Sequence, residues 1–150
     1  MKLIKNISSK KILSLFSKQK GSPLFNAKGV AIGVFCGCFP FFGFQTLLGL
    51  FIAKVAKANL LLAAIGTWIS NPFTYIPLYF FNYKVGAFLL KTSPDIIFDQ
   101  NLLINDLWKQ GSFFTLRLIL GSALVGLLLA FISGGIVFFI YKRKLKRRGI

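Results

Sequence analysis

The chain has 150 residues, 55% of them hydrophobic, with eighteen phenylalanines, two cysteines, no histidine, and nineteen Lys and Arg against three acids, for a formal charge of +16. A mean hydropathy of +0.71 with so few acids lies outside the range of ordinary soluble domains and predicts one small all-α, polytopic membrane protein. With no histidine anywhere and no acid in any apolar run, the usual general bases, proton relays and hard-metal ligands are missing, so no enzyme, cofactor, metal site or proton-coupled cation transport is expected.

Residues 1–28 form a basic N-terminal segment in which Leu3, Ile4, Ile7, Ile12, Leu13, Leu15 and Phe16 are mixed with seven lysines. That mixture suits a helix lying on a membrane surface until Gly21-Ser22-Pro23 breaks it. Ala56-Lys57-Ala58 resembles a signal-peptide cleavage site, but the basic lead and the apolar run before it are too long for one.

Residues 29–141 read as the helical transmembrane domain. The stretch 29–53 carries no charge and is long enough to cross roughly 30 Å of hydrocarbon. Gly29, Gly33 and Gly37 recur every fourth residue, which stacks them on one stripe where another backbone can approach; glycine is also simply common in membrane helices. Cys36 and Cys38 point about 200° apart at helical pitch, which argues against a disulfide between them and leaves them as small packing residues. The run is interrupted at Cys38-Phe39-Pro40-Phe41-Phe42-Gly43.

After a short loop carrying Lys54 and Lys57, a second uncharged run, 60–83, is interrupted at Ser70-Asn71-Pro72-Phe73-Thr74. A weak internal repeat links the two: Ala31-Ile32-Gly33 precedes Pro40-Phe41 much as Ala64-Ile65-Gly66 precedes Pro72-Phe73. Residues 91–111 hold all three acids, Asp95, Asp99 and Asp106, and read as an exposed polar loop. The uncharged run 118–141 is long enough to span, with Ser122, Gly126, Ala130 and Gly134 on a second small-residue stripe, and 142–150 is a basic tail. The two stripes suit pairing within one chain or between copies, and a homo-oligomer is expected.

Clusters of Lys and Arg abutting apolar runs fit attraction to anionic lipid headgroups better than to nucleic acid. By the positive-inside rule both termini belong in the cytoplasm and 91–111 outside. That leaves an odd number of crossings between Lys28 and Lys91, so the economical arrangement makes 29–53 a re-entrant pair of half-helices, returns Lys54 and Lys57 to the cytoplasm, and sends 60–90 across.

In lipid, a helix break survives only where its backbone groups find partners inside protein or line a wet cavity. Asn71 is suited to cap free N–H groups with Pro72 at the first helical position, and Pro40 to begin a half-helix in the same way. Two such positive ends facing one another would hold a phosphate or carboxylate. The candidate binding residues are therefore Pro40, Gln45, Thr46, Ser70, Asn71, Pro72 and Thr74, whose polar members serve equally to satisfy the broken backbone. Tyr75, Tyr79 and Tyr83 recur every fourth residue and either line a polar path or belong to an interfacial aromatic belt. Lys84 and Arg117 flank the outer side, attracting an anion or snorkelling to headgroups.

The segments Pro40-Phe41-Phe42-Gly43-Phe44-Gln45-Thr46 and Ser70-Asn71-Pro72-Phe73-Thr74, with Gly29-Val30-Ala31-Ile32-Gly33, Ala58-Asn59-Leu60, Gly66-Thr67-Trp68-Ile69, Pro77-Leu78-Tyr79 and Gly86, closely resemble the bacterial membrane family catalogued as domain of unknown function 2062. The resemblance covers most of 24–140. It implies an integral protein of the bacterial cytoplasmic membrane, sometimes fused to glycosyltransferase-like domains, and supplies no agreed activity. The residues thus lead to a protein that binds an anionic headgroup or small anion at the junction of its broken helices, in translocation or transport. The alternative is a non-catalytic scaffold recruiting an envelope-lipid or glycosyltransfer enzyme.

Overall fold

The computed structural model describes residues 21–41, 43–91 and 104–147, the last with side chains from 111 to 146. The described residues are helical throughout, with no strand: α1 Pro23–Gly37, α2 Phe44–Val55, α3 Leu60–Gly66 extended by a 3-10 turn Thr67–Ile69, α4 Tyr75–Leu89, and α5 Ile104–Arg147. Residues 1–20, which carry the expected surface helix, lie outside this set.

Local chemistry accounts for most of the boundaries. The Ser22 hydroxyl accepts from the Phe25 N–H at 3.1 Å and Pro23 takes the first helical position, so α1 starts where the Gly-Ser-Pro break was expected. It ends at Gly37, before Pro40, which has no N–H to continue the ladder. Gly43, at φ +79°, turns the chain into α2; this left-handed backbone is open to glycine at little cost. Asn59 caps α3 by accepting from the Leu62 N–H at 3.1 Å. It also ties the α2–α3 loop to the start of α1: its backbone N–H donates to the Phe25 carbonyl at 3.1 Å and its side-chain amide to Asn26 Oδ1 at 2.7 Å.

Glycines set the packing. A methyl group on Gly29 would strike the Asn59 carbonyl, one on Gly33 the Ala63 carbonyl, and one on Gly37 would come within 2.8 Å of the Thr67 carbonyl, so α1 lies along α3 in parallel, nearly backbone to backbone. α2 returns antiparallel alongside the pair, its Gly49 against Thr67 and Cys36. α5 runs antiparallel to both α1 and α4: Gly134 meets Ala27 and Ala31, Gly126 meets Phe35 and Cys38, Gly121 meets Asn82, and the Arg117 backbone meets Gly86. α1 and α4 therefore follow one another along a single pole, whose 44 residues extend about 66 Å. In register with α1 the pole packs on α1, which carries α2 and α3 on its other sides; in register with α4 it pairs with α4.

The buried set joins an apolar cluster of Val30, Val34, Leu62, Val137 and Tyr141 to small and polar residues, among them Ala53, Ala63, Asn26, Thr67, Asn82 and Ser122. The large apolar side chains face outward, Phe73 at 92%, Phe88 at 83% and Phe131 at 78% exposure. So much contiguous exposed apolar surface is unusual for a water-soluble monomer. One described helix, within Gly111–Lys146, is long and apolar enough to cross a membrane; α1, α2 and α3 are apolar but shorter.

Several features differ from the sequence reading. Helix α5 already includes 104–111, part of the expected polar loop. Pro40 does not open a helix: it sits in the connection, and α2 begins at Phe44. Pro72 also precedes the α4 span, which begins at Tyr75.

Because a Cβ at Gly86 or Gly121 would overlap a backbone carbonyl of the facing helix, G86A and G121A are each expected to destabilise the bundle by about 1–3 kcal/mol. G135A, where the added methyl meets open space, is expected to leave stability unchanged. Unfolding of the full chain in micelles, read by far-UV circular dichroism, checks the contrast.

Candidate functional site

The two breaks lie side by side. Gln45, in the first turn of α2, donates from Nε2 to Ser70 Oγ at 2.8 Å, and Thr46 and Thr67 share a hydroxyl–hydroxyl bond of 3.1 Å. Tyr79 donates its hydroxyl to the Phe39 carbonyl at 3.1 Å, and Asn82 donates from Nδ2 to the Cys38 carbonyl at 3.0 Å and to Ser122 Oγ at 2.9 Å. One turn of α4 further on, Arg117 donates from Nη1 to the Tyr83 hydroxyl at 2.7 Å. These bonds make a polar seam running from α2 and α3, past the end of α1, to the interface of α4 and α5.

Carbonyls freed where α1 stops are thus taken up by side chains of α4. The second break satisfies itself. Asn71 Oδ1 accepts from the N–H groups of Phe73 and Thr74 at 2.9 and 3.2 Å; Thr74 Oγ1 accepts from the Asn71 N–H at 2.9 Å and donates to the Ile69 carbonyl at 2.6 Å. The Tyr75 N–H reaches the Asn71 carbonyl at 2.9 Å, so the first turn of α4 is organised from Asn71 although Pro72, Phe73 and Thr74 are exposed.

α2, in contrast, begins without a side-chain cap. Beside that start, Gln45 is 8% exposed and its Oε1 has no partner; Asn82 Oδ1, in a fully buried side chain, has none either. Buried acceptors left open cost on the order of 1–3 kcal/mol each until a donor reaches them. The site is thus rich in donors already in use and short of donors for two buried acceptors.

Of the candidate binding residues, Gln45, Thr46 and Ser70 come together at the α2–α3 contact. Asn71, Pro72 and Thr74 form the adjoining turn, and Pro40 lies half-buried in the connection ahead of α2. Tyr75 and Tyr79 meet at a tilt with ring centres 6.3 Å apart, and Tyr83 is buried against Phe114 at 5.0 Å. Gly29, Gly33 and Gly37 lie against α3, while Ser122, Gly126, Ala130 and Gly134 are buried on the side of α5 that meets α1 and α4. Sequence reasoning did not single out Asn26, Asn59 or the Gly86–Gly121 contact, and passed over Asn82 as a neighbour of the tyrosines. Single residues of these types carry no spacing; the available signal was polarity within an uncharged run.

Over residues 8–149 the sequence matches the family described as an uncharacterized protein conserved in bacteria, domain of unknown function 2062. The chain belongs to that family. No curated protein and no solved structure gives a significant match. The seam joins both stretches through which this family was first suggested, the Pro40–Thr46 and Ser70–Thr74 segments, since Gln45 bonds Ser70 directly.

Replacing Asn82 with Leu removes the partner of the Cys38 carbonyl and is expected to cost about 1–3 kcal/mol. Ser122→Ala is expected to cost less, because Asn82 keeps its bond to Cys38. Equilibrium unfolding of the two variants beside wild type in the same micelles measures the difference.

Proposed function

We propose that this chain is a polytopic protein of the bacterial cytoplasmic membrane that binds a phosphate-bearing headgroup, or a small anion of like chemistry, where its two helix breaks meet. Its action is carriage of that ligand between the two sides of the membrane. The observation that carries the reading is the meeting itself: an uncapped start of α2, with the open acceptor of Gln45 beside it, set against the turn at Ser70–Thr74. The break end of α1 packs against Gly126, within the uncharged run 118–141 of α5. At such a depth low polarity strengthens the pull of a helix start on an anion. The open acceptors at Gln45 and Asn82 favour a ligand that also brings hydroxyl donors, as glycerol and sugar headgroups do.

The arrangement in the membrane follows from the distribution of cations. Lys28, Lys54, Lys57 and the run Lys142–Lys146 belong to elements joined at one end of the body, through the Asn26–Asn59 bond and the contact of Gly134 with Ala27. The positive-inside rule sets that end, with both chain termini, in the cytoplasm. α1 and α2 then form a re-entrant hairpin whose tip, at the Pro40 break, stops inside the bilayer, while α3 and α4 continue outward and α5 crosses completely. Recruitment of a partner through the small-residue stripes is disfavoured, since both stripes are occupied by helices of the same chain.

Reconstituted into vesicles, the wild-type chain is expected to accelerate movement of fluorescent phosphatidylglycerol between leaflets. The Gln45→Ala, Ser70→Ala double variant is expected to lose most of that rate at unchanged oligomeric state. Wild-type vesicles that move neither this lipid nor an anion would sink the proposal. Single cysteines at positions 57 and 148 are expected to be labelled from the same side, and one at position 100 from the other.

A further inference from the structure

We propose that Arg117, held by Tyr83, is the group that grips the phosphate of the ligand, on the side of the breaks away from the cation-rich end. This rests on the anion reading above and supplies the full charge that the break residues lack. None of Gln45, Thr46, Ser70, Asn71 and Thr74 is ionisable, so hydroxyls, amides and helix ends alone would have to discriminate a phosphate from a neutral headgroup.

Arg117 differs from the other cation at this level of the body. Lys84 is exposed and lies over the Phe80 ring at 4.6 Å, the posture of a side chain reaching along the outside of its helix. Arg117 instead turns inward against α4: Nη1 bonds the buried Tyr83 hydroxyl at 2.7 Å, the guanidinium carbon stands 5.7 Å from the Tyr83 ring centre, and Nε is buried without a partner. No described side chain facing it from α4 or α5 is acidic. A guanidinium held in apolar surroundings with a donor unused is costly unless an anion completes it. With Nη1 engaged by Tyr83, the edge left over is Nε and Nη2, the pair that meets two oxygens of a phosphate in parallel bonds. A small swing of the guanidinium about its bond to Tyr83 presents that edge to the ligand.

The placement suits a lipid as well as a free ion. Residues 118–141 are uncharged and extend about 36 Å, a little more than the hydrocarbon thickness, so Arg117 stands at the rim of the apolar layer opposite the cationic end. From there the seam leads inward: Tyr83 and Tyr79 are one helical turn apart, about 6 Å, and Tyr79 is bonded to the Phe39 carbonyl at the break. A phosphate on Arg117 would thus leave the hydroxyls of its headgroup within one or two turns of the open acceptors Asn82 Oδ1 and Gln45 Oε1. The shared chemistry is a phosphate ester carrying hydroxyl groups, with inorganic phosphate as the minimal ligand.

The test is isothermal titration of the full chain in phosphatidylcholine nanodiscs with short-chain phosphatidylglycerol and, separately, with inorganic phosphate. Wild type is expected to bind the glycerol lipid saturably. R117Q is expected to weaken binding about tenfold or more, as loss of a bidentate charged contact implies. R117K, which keeps the charge and loses the fork, is expected to fall between them, and K84Q to match wild type. Competition by inorganic phosphate supports recognition of the phosphate group by itself, and lipid binding without such competition supports recognition of the whole headgroup. Equal affinity of R117Q and wild type overturns the assignment to Arg117 while leaving the break reading standing. Should R117Q fail to fold, equal affinity of R117K and wild type overturns it instead. Wild type that binds neither probe overturns both, whereas binding that survives Gln45→Ala, Ser70→Ala but not R117Q supports Arg117 and moves the ligand away from the breaks.

Discussion

The bond from Asn82 to the Cys38 carbonyl holds the architecture at its weakest point. α1 stops in the middle of an apolar body, and a carbonyl released there has no water to turn to. One carboxamide on α4, fully buried, accepts the task and at the same time reaches Ser122 on α5. Three helices are thereby fixed in register at a single residue. Tyr79 repeats the device one turn earlier by donating to Phe39, and Gln45 joins the α2 start to the end of α3 through Ser70. The breaks persist because these partners are in place, and the polar seam is the by-product of satisfying them.

Around this seam the attraction between helices comes from proximity. Close van der Waals contact and bonds between helices join the body, the terms on which helices associate where no water drives them together. Gly29, Gly33 and Gly37 against α3, and Gly86 and Gly121 across the α4–α5 interface, allow an approach that any side chain would prevent. The bulky residues are left to the outside, where Phe73, Phe88 and Phe131 present most of their surface.

Much of this could be read in the chain before its structure. Glycines spaced by four marked the α1 stripe, Gly21-Ser22-Pro23 was read as a break that ends a surface helix and proves to be where α1 starts, and Asn71 was recognised as the residue able to satisfy the N–H groups after it. The bonds of Asn71 to Phe73 and Thr74 do so. What escaped was set by partners distant in sequence. Pro40 offers a helix start by its own geometry, yet Gly43 decides where α2 begins, because the chain must first reverse direction. Asn26 and Asn59 are 33 positions apart, and neither shows any periodicity to betray the pair. The helical character of 104–111 is masked by a polar composition that suits a loop equally well. Arg117 was legible as a cation at the end of an apolar run, but its inward turn depends on Tyr83, 34 positions away.

The unequal grouping of helices along α5 has a mechanical corollary. Among the described residues α1, with α2 and α3 packed on it, accompanies one end of the pole and α4 alone the other, so the body tapers. Set in a bilayer, a tapered solute crowds one leaflet more than its opposite and is most comfortable where the sheet is bent or its lipids are unevenly stocked. In that setting the hairpin that creates the break would also give the molecule a shape to which lipid responds.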